Sequence, residues 1–95
     1  MKWDLNELKS MSDGLYNTVK SDFDKDTLEV MVSAYTKIIT GIGLMLFARD
    51  SIEYNTIENF CLSCNLYLNN NEKKDDYLLD ASNRLDEIRN IQIIN

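Results

Sequence analysis

The 95-residue chain contains no histidine and no proline, only three glycines and only two cysteines. Each shortage excludes something. Without histidine the chain lacks the side chain that most often serves as general base and as metal ligand. Without proline no segment is barred from the helix, because nothing locks φ or removes a backbone donor. Two cysteines cannot build the disulfide-dense scaffold that small secreted domains use in place of a large core. Cations are scarce too: ten Lys and Arg face sixteen Asp and Glu, for a net charge of −6. That balance argues against a nucleic acid or an anionic membrane as the partner. Long apolar runs are missing as well. Residues 38–48 are uncharged only between Lys37 and Arg49, short of the roughly 20 residues a spanning helix needs. The opening Met1-Lys2-Trp3-Asp4 turns acidic at once, and no apolar stretch leads to a small-residue cleavage site. The expectation is one cytoplasmic domain over 1–95 with reduced thiols.

What is present is a core. Hydrophobic residues make up 44% of the chain, enough for one packed domain and against wholesale disorder. No linker or repeat interrupts it, and Asn69-Asn70-Asn71 reads as a loop. Helical spacing then organises the sequence. Leu5, Leu8, Met11, Leu15 and Val19 form one stripe, with Gly14 inside it as a point of bending or weakness. The acidic run 22–26 ends this helix, and Asp26 followed by Glu29 has capping-box spacing. A second helix carries Leu28, Met31, Val32, Tyr35, Ile38, Ile39, Ile42, Met45 and Leu46. Beyond Lys37 it is apolar nearly all round, which places it at the centre of the bundle or at an oligomer interface. Gly41 and Gly43 would let another helix approach closely; with Leu44 and Phe47 they are the candidate oligomer interface.

The third helix is expected from Asn55 as its cap. It lines up Ile57, Phe60, Cys61, Cys64, Tyr67 and Leu68, with Leu62 and Leu66 widening the face. The last asparagine of the 69–71 run is positioned to cap the fourth helix. That helix has Leu78, Ala81, Leu85, Ile88 and Ile91 on one side and Asp76, Asp80, Asn83 and Glu87 on the other. Asp80 and Arg84 stand at a supportive four-residue spacing. Only 91–94 has the β-branched look of a strand. Stripes of this kind bury one another most simply in an all-α fold, a small four-helix, up-and-down bundle.

Three constellations bear on chemistry. Cys61-x-x-Cys64 lacks the second pair or the histidines that zinc needs, and lies mid-helix on an apolar stripe, so it reads as buried structural cysteine. Asp22-x-Asp24-x-Asp26 matches the start of an EF-hand loop, but Thr27 and Ser33 stand where glycine and glutamate are required. It reads instead as an acidic turn near a helix N-terminus. The many carboxylates all fall on or beside polar faces, so none is set apart by burial as paired acid–base catalysis requires. The expectation is no catalysis, no metal and no cofactor.

Binding remains. Negative charge concentrates around the fourth helix, and Tyr54 and Tyr77 lie near helix starts, off the main stripes. Asp76, Asp80, Asn83, Glu87, Tyr77 and Tyr54 are therefore the candidate partner-binding surface, suited to a protein with a basic face. The plainer alternatives are that the charge only keeps the protein in solution and that the tyrosines border the core. In size and charge the chain resembles small anti-CRISPR proteins of phages and mobile elements. That resemblance implies steric blocking of a host nuclease or effector. The stretch from Leu15 to Ile38, a helix, an acidic turn and an apolar helix, is similar in layout to four-helix bacteriocin immunity proteins of the enterocin type. A third expectation is a structural module that homodimerises through the second helix.

Overall fold

The computed structural model describes residues 3–92. These form α1 (Leu5–Val19), α2 (Lys25–Leu46), α3 (Ile52–Asn69) and α4 (Lys74–Arg89). Residues 93–95 of the β-branched 91–94 stretch and its end lie outside the described residues.

Capping chemistry sets where three of the helices begin. Asp4 Oδ1 accepts the Glu7 N–H at 3.0 Å, Asp24 Oδ1 the Thr27 N–H at 2.8 Å, and Ser51 Oγ the Tyr54 N–H at 3.1 Å. Each side chain satisfies a donor that the first turn leaves without an intrahelical acceptor. So α2 starts at Asp24 rather than Asp26, which moves the Asp26 carboxylate into the first turn, where the helix dipole favours it. Likewise α3 starts at Ser51 rather than Asn55, and this draws Tyr54 into the helix on its buried side. At the head of α4 the cap position is Lys73, not Asn71. Lys73 has φ 60° and no capping hydrogen bond from its side chain, and a left-handed non-glycine residue costs roughly 1–2 kcal/mol. Asp75 and Asp76 in the first turn offset part of this by meeting the positive helix end.

The Asp24 cap has a pH signature. Its hydrogen bond from the Thr27 N–H holds the carboxyl below its ordinary value. A group with a lowered folded value contributes stability above its unfolded value, and loses it as pH falls through the folded one. Asp24→Ala should therefore melt below wild type at pH 7, with the gap closing as pH falls through and below the carboxylate range. Thermal melts across that range check it; a gap independent of pH would contradict the assignment.

Contacts between helices establish the topology. Gly43 of α2 lies beneath Tyr54 and Ile57 of α3, and Asn65 Nδ2 donates to Thr36 Oγ1 at 3.3 Å farther along the same pair. Thr56 meets Glu87 and Ser63 meets Asp80, so residue numbers rise in α3 as they fall in α4. Sequential helices are thus antiparallel, an up-and-down bundle. Helix α1 touches α2, α3 and α4, whereas among the described residues α2 and α4 do not touch. The bundle is a rhombus in section, with α1 and α3 across its short diagonal. Phe60, Leu8, Leu15, Ile39, Ile57, Leu85 and Ile88 fill the interior.

This arrangement corrects the placement of α2 at the centre of the bundle. Helix α2 turns Leu28, Val32, Ile39, Ile42 and Gly43 inward, but Val30 stays 71% exposed and Met45 67%. A corner helix packs on two neighbours only, so its far side has nothing to cover it. The helix is also longer than its uncharged stretch: its 22 residues are long and apolar enough to cross a membrane by length and composition. The exclusion drawn from 38–48 does not extend to the whole helix.

Two of the glycines work by admitting neighbours. A Cβ on Gly14 would lie 2.9 Å from the Tyr35 hydroxyl, so Gly14 seats an α2 tyrosine against an unbroken α1. A Cβ on Gly43 would lie 3.2 Å from the Tyr54 ring and 3.3 Å from Ile57. At Gly41 a Cβ would meet nothing within 4 Å. The close approach foreseen for both glycines of α2 is made at Gly43 alone.

Candidate functional site

Helix α4 does not present its expected polar face freely. Asp80 accepts a hydrogen bond from the Ser63 hydroxyl and stands 3.5 Å from Arg84 Nε. Glu87 Oε2 accepts from Thr56 Oγ1 at 3.4 Å. Ser63 and Thr56 are themselves buried, so these two acids lace α4 to α3 along the seam. Tyr54 is only 6% exposed, which corrects its expected role as an anchor. Burial, with the Glu58 carboxylate beside it, pushes its hydroxyl above the usual phenol value. Tyr77 is half-buried. Of the six residues expected to form one surface, Asp76, Asn83 and Glu87 are exposed.

The outward side of α4 is a different set. Leu79 is 62% exposed; exposed Asp75, Asp76 and Asn83 lie one turn away on the helix surface, and Asp86 lies two turns away. An apolar side chain with acids on one side and polar groups on the other has the composition of a docking spot, a desolvatable centre within a polar rim. Signals for it existed in the sequence, since 75, 76, 79, 83 and 86 share helical spacing. A polar face centred on Asp80 and Glu87 leaves Leu79 outside it. At the end of α4, Arg89 donates from Nε and Nη2 to Asp13 Oδ1 of α1, at 3.0 and 2.6 Å, and from Nη1 to Asp86 at 3.2 Å. These acids, Asp13 foremost, hold the guanidinium above its ordinary value. Both flanks of α4 are therefore tied down, one to α3 and one to α1.

The second outward surface belongs to α2. Of the residues expected at an oligomer interface, Gly43 is covered by the chain's own α3, Phe47 packs partly on the core, and Gly41 and Leu44 face outward. Hollows along this side are lined by Trp3, Ile38, Gly41 and Met45 on one stretch and by Val30, Ser33 and Ala34 on another, with Lys37 bordering both.

The thiols sit inside. Cys61 and Cys64 are free and buried in the core cluster. Desolvation pushes Cys61 up to about 12, against a smaller opposing effect of a hydrogen bond with Thr36, and it pushes Cys64 up as well. A nucleophilic or redox thiol requires the opposite shift. Among the described residues no three His, Cys, Asp or Glu side chains converge as metal ligands would. In the acidic turn, Asp24 is engaged in capping α2.

Fold and surface together define a small all-α, up-and-down four-helix bundle with two uncovered corner helices, one acidic and one apolar. No protein-family model matches the chain, and neither the curated proteins nor the solved structures yield a significant match.

Proposed function

We propose that this chain is a non-enzymatic protein-binding inhibitor that acts in the cytoplasm, docking the outward face of α4 on a basic surface of another protein and occluding it. The observation that carries this reading is the exposed Leu79 beside exposed Asp75 and Asp76 on a helix tied down along both flanks. Carboxylates around an apolar contact speed encounter with a basic groove, and the desolvated centre slows dissociation. Rigidity matters because a surface ordered beforehand loses less entropy on binding. The size and charge resemblance to anti-CRISPR proteins suggests a host nuclease or effector as the blocked protein. The four-helix architecture also suits the layout noted for bacteriocin immunity proteins. Protection of a sensitive cell on expression separates that alternative from the first.

The test is affinity capture from the source cells with mass-spectrometric identification. The captured protein should carry a basic groove, and Leu79→Lys should release it. Retention should fall as salt rises from about 0.1 M to about 1 M, over which the Debye length shrinks from about 10 Å to about 3 Å. A partner held equally well by Leu79→Lys and in high salt would refute docking through α4.

A further inference from the structure

The acidic face of α4 leaves the apolar side of α2 without a role, and its pattern points to an occupant. We infer that this side is covered by a second copy of the chain, the two α2 helices packing antiparallel about a two-fold axis that passes between residues 37 and 38. This inference does not rest on the α4 reading.

Symmetry of the sequence about that point is the first argument. An antiparallel two-fold there sets Val30 opposite the partner's Met45 and Ala34 opposite the partner's Gly41. All four residues are exposed. Each large apolar side chain thus meets a large one, and small meets small. Because a Cβ at Gly41 would touch nothing in its own chain, the space above it is available for the partner's backbone to come close.

Charge is the second. The charged residues of α2 are Lys25, Asp26, Glu29 and Lys37, all exposed, and they balance to zero, whereas the chain as a whole carries −6. Two like-charged molecules repel one another least across a neutral face. Lys37 lies beside the axis at the solvent edge, where its stem covers apolar surface and its ammonium stays in water.

Length agrees. A helix of 22 residues is about 33 Å long, most of the 42 Å long dimension of the molecule. Since α2 and α4 do not touch, the pairing leaves both α4 faces free, and the dimer displays two acidic docking surfaces.

Light scattering and sedimentation equilibrium on the full chain, from about 10 μM to about 1 mM, should show a reversible dimer. Gly41→Leu should raise its dissociation constant by about 100-fold, the scale of losing a central contact, while the thermal midpoint extrapolated to the monomer stays at or above wild type. Mixing Val30→Cys and Met45→Cys chains under oxidation should yield the mixed cross-linked dimer, with neither variant cross-linking alone; the native buried thiols do not compete. A chain that stays monomeric at about 1 mM overturns the inference. So does a dimer indifferent to Gly41→Leu, or Val30→Cys chains that cross-link to each other as readily as the mixture. Sedimentation of the monomer with phosphatidylcholine vesicles, abolished by Met45→Asp, would assign the face to lipid and overturn it too. Capture through α4 should be unaffected by Gly41→Leu, so the two proposals fail separately.

Discussion

Replacing Phe60 with alanine should lower the unfolding free energy by about 3–5 kcal/mol, the usual loss when a fully enclosed phenylalanine leaves a cavity. Phe60 is the largest of the side chains that solvent does not reach, and it sits on α3, one of the two helices across the short diagonal. Collapse into the gap is hindered because neighbouring helices close on that position from several sides. A domain of this size has a total stability of roughly 5–14 kcal/mol at the customary 0.05–0.15 kcal/mol per residue, so the variant sits near the edge of folding. Leu62, two positions along the same helix, is 53% exposed; Leu62→Ala should change stability by about 0.5 kcal/mol or less. Urea unfolding of both variants checks the pair. Equal losses would contradict the assignment of inward and outward sides of α3.

The thiols supply the second large effect. In the folded protein at pH 8, Cys61 and Cys64 should react with iodoacetamide about 1,000-fold more slowly than in denaturant, or slower still. With Cys61 raised to about 12, the reactive thiolate is some three orders of magnitude scarcer than in an unfolded chain, where cysteine titrates near 8.5. Burial adds a steric block, so labelling is expected to proceed mainly through opening of the bundle and to report its free energy. Mass spectrometry of timed samples reads the rate directly, and rates within tenfold of those in denaturant would refute the burial of the pair. The sign for stability follows from the same shift. Folded chains hold these protons more tightly than unfolded ones, so the thiols' contribution is intact below about 8.5 and is lost as pH climbs towards the folded value.

Much of the fold was legible because helical spacing is a local property. The α1 stripe needed no tertiary information: Leu8, Leu15 and Val19 are all buried. The cysteine pair was legible for the same reason, its place on the stripe outweighing the motif it resembles. Helix starts were less so. Asp22, Asp24 and Asp26 are chemically equivalent caps, and the choice of Asp24 depends on which register turns Leu28 and Val32 into the core. Ser51 prevailed over Asn55 because Tyr54 and Ile57 close over Gly43, a contact between helices that spacing cannot foresee.

The candidate surfaces were harder to read than the core. Asp80 and Glu87 looked as free as Asp76, yet hydroxyls on α3 claim both. Polar pairing across a helix seam depends on the rotation of two helices about their axes, and one helix's pattern constrains only its own. Tyr54 is a different case: it precedes Ile57 by three residues and Cys61 by seven, so once α3 starts at Ser51 rather than Asn55 helical spacing carries the stripe through it, and it is buried.

Local spacing alone establishes the all-α class, the course of the apolar stripes and the place of the thiols within them. These follow from backbone sterics and a period of 3.6 residues, which act over a few neighbours. Which helices stand at the corners of the rhombus is set by packing between helices. Four stripes can close a core in more than one cross-section, and the contacts of Gly14 with Tyr35, Gly43 with Tyr54 and Arg89 with Asp13 select one. In that section α2 and α4 have only two sides covered, and the apolar and acidic faces they turn outward are consequences of packing that no single helix encodes.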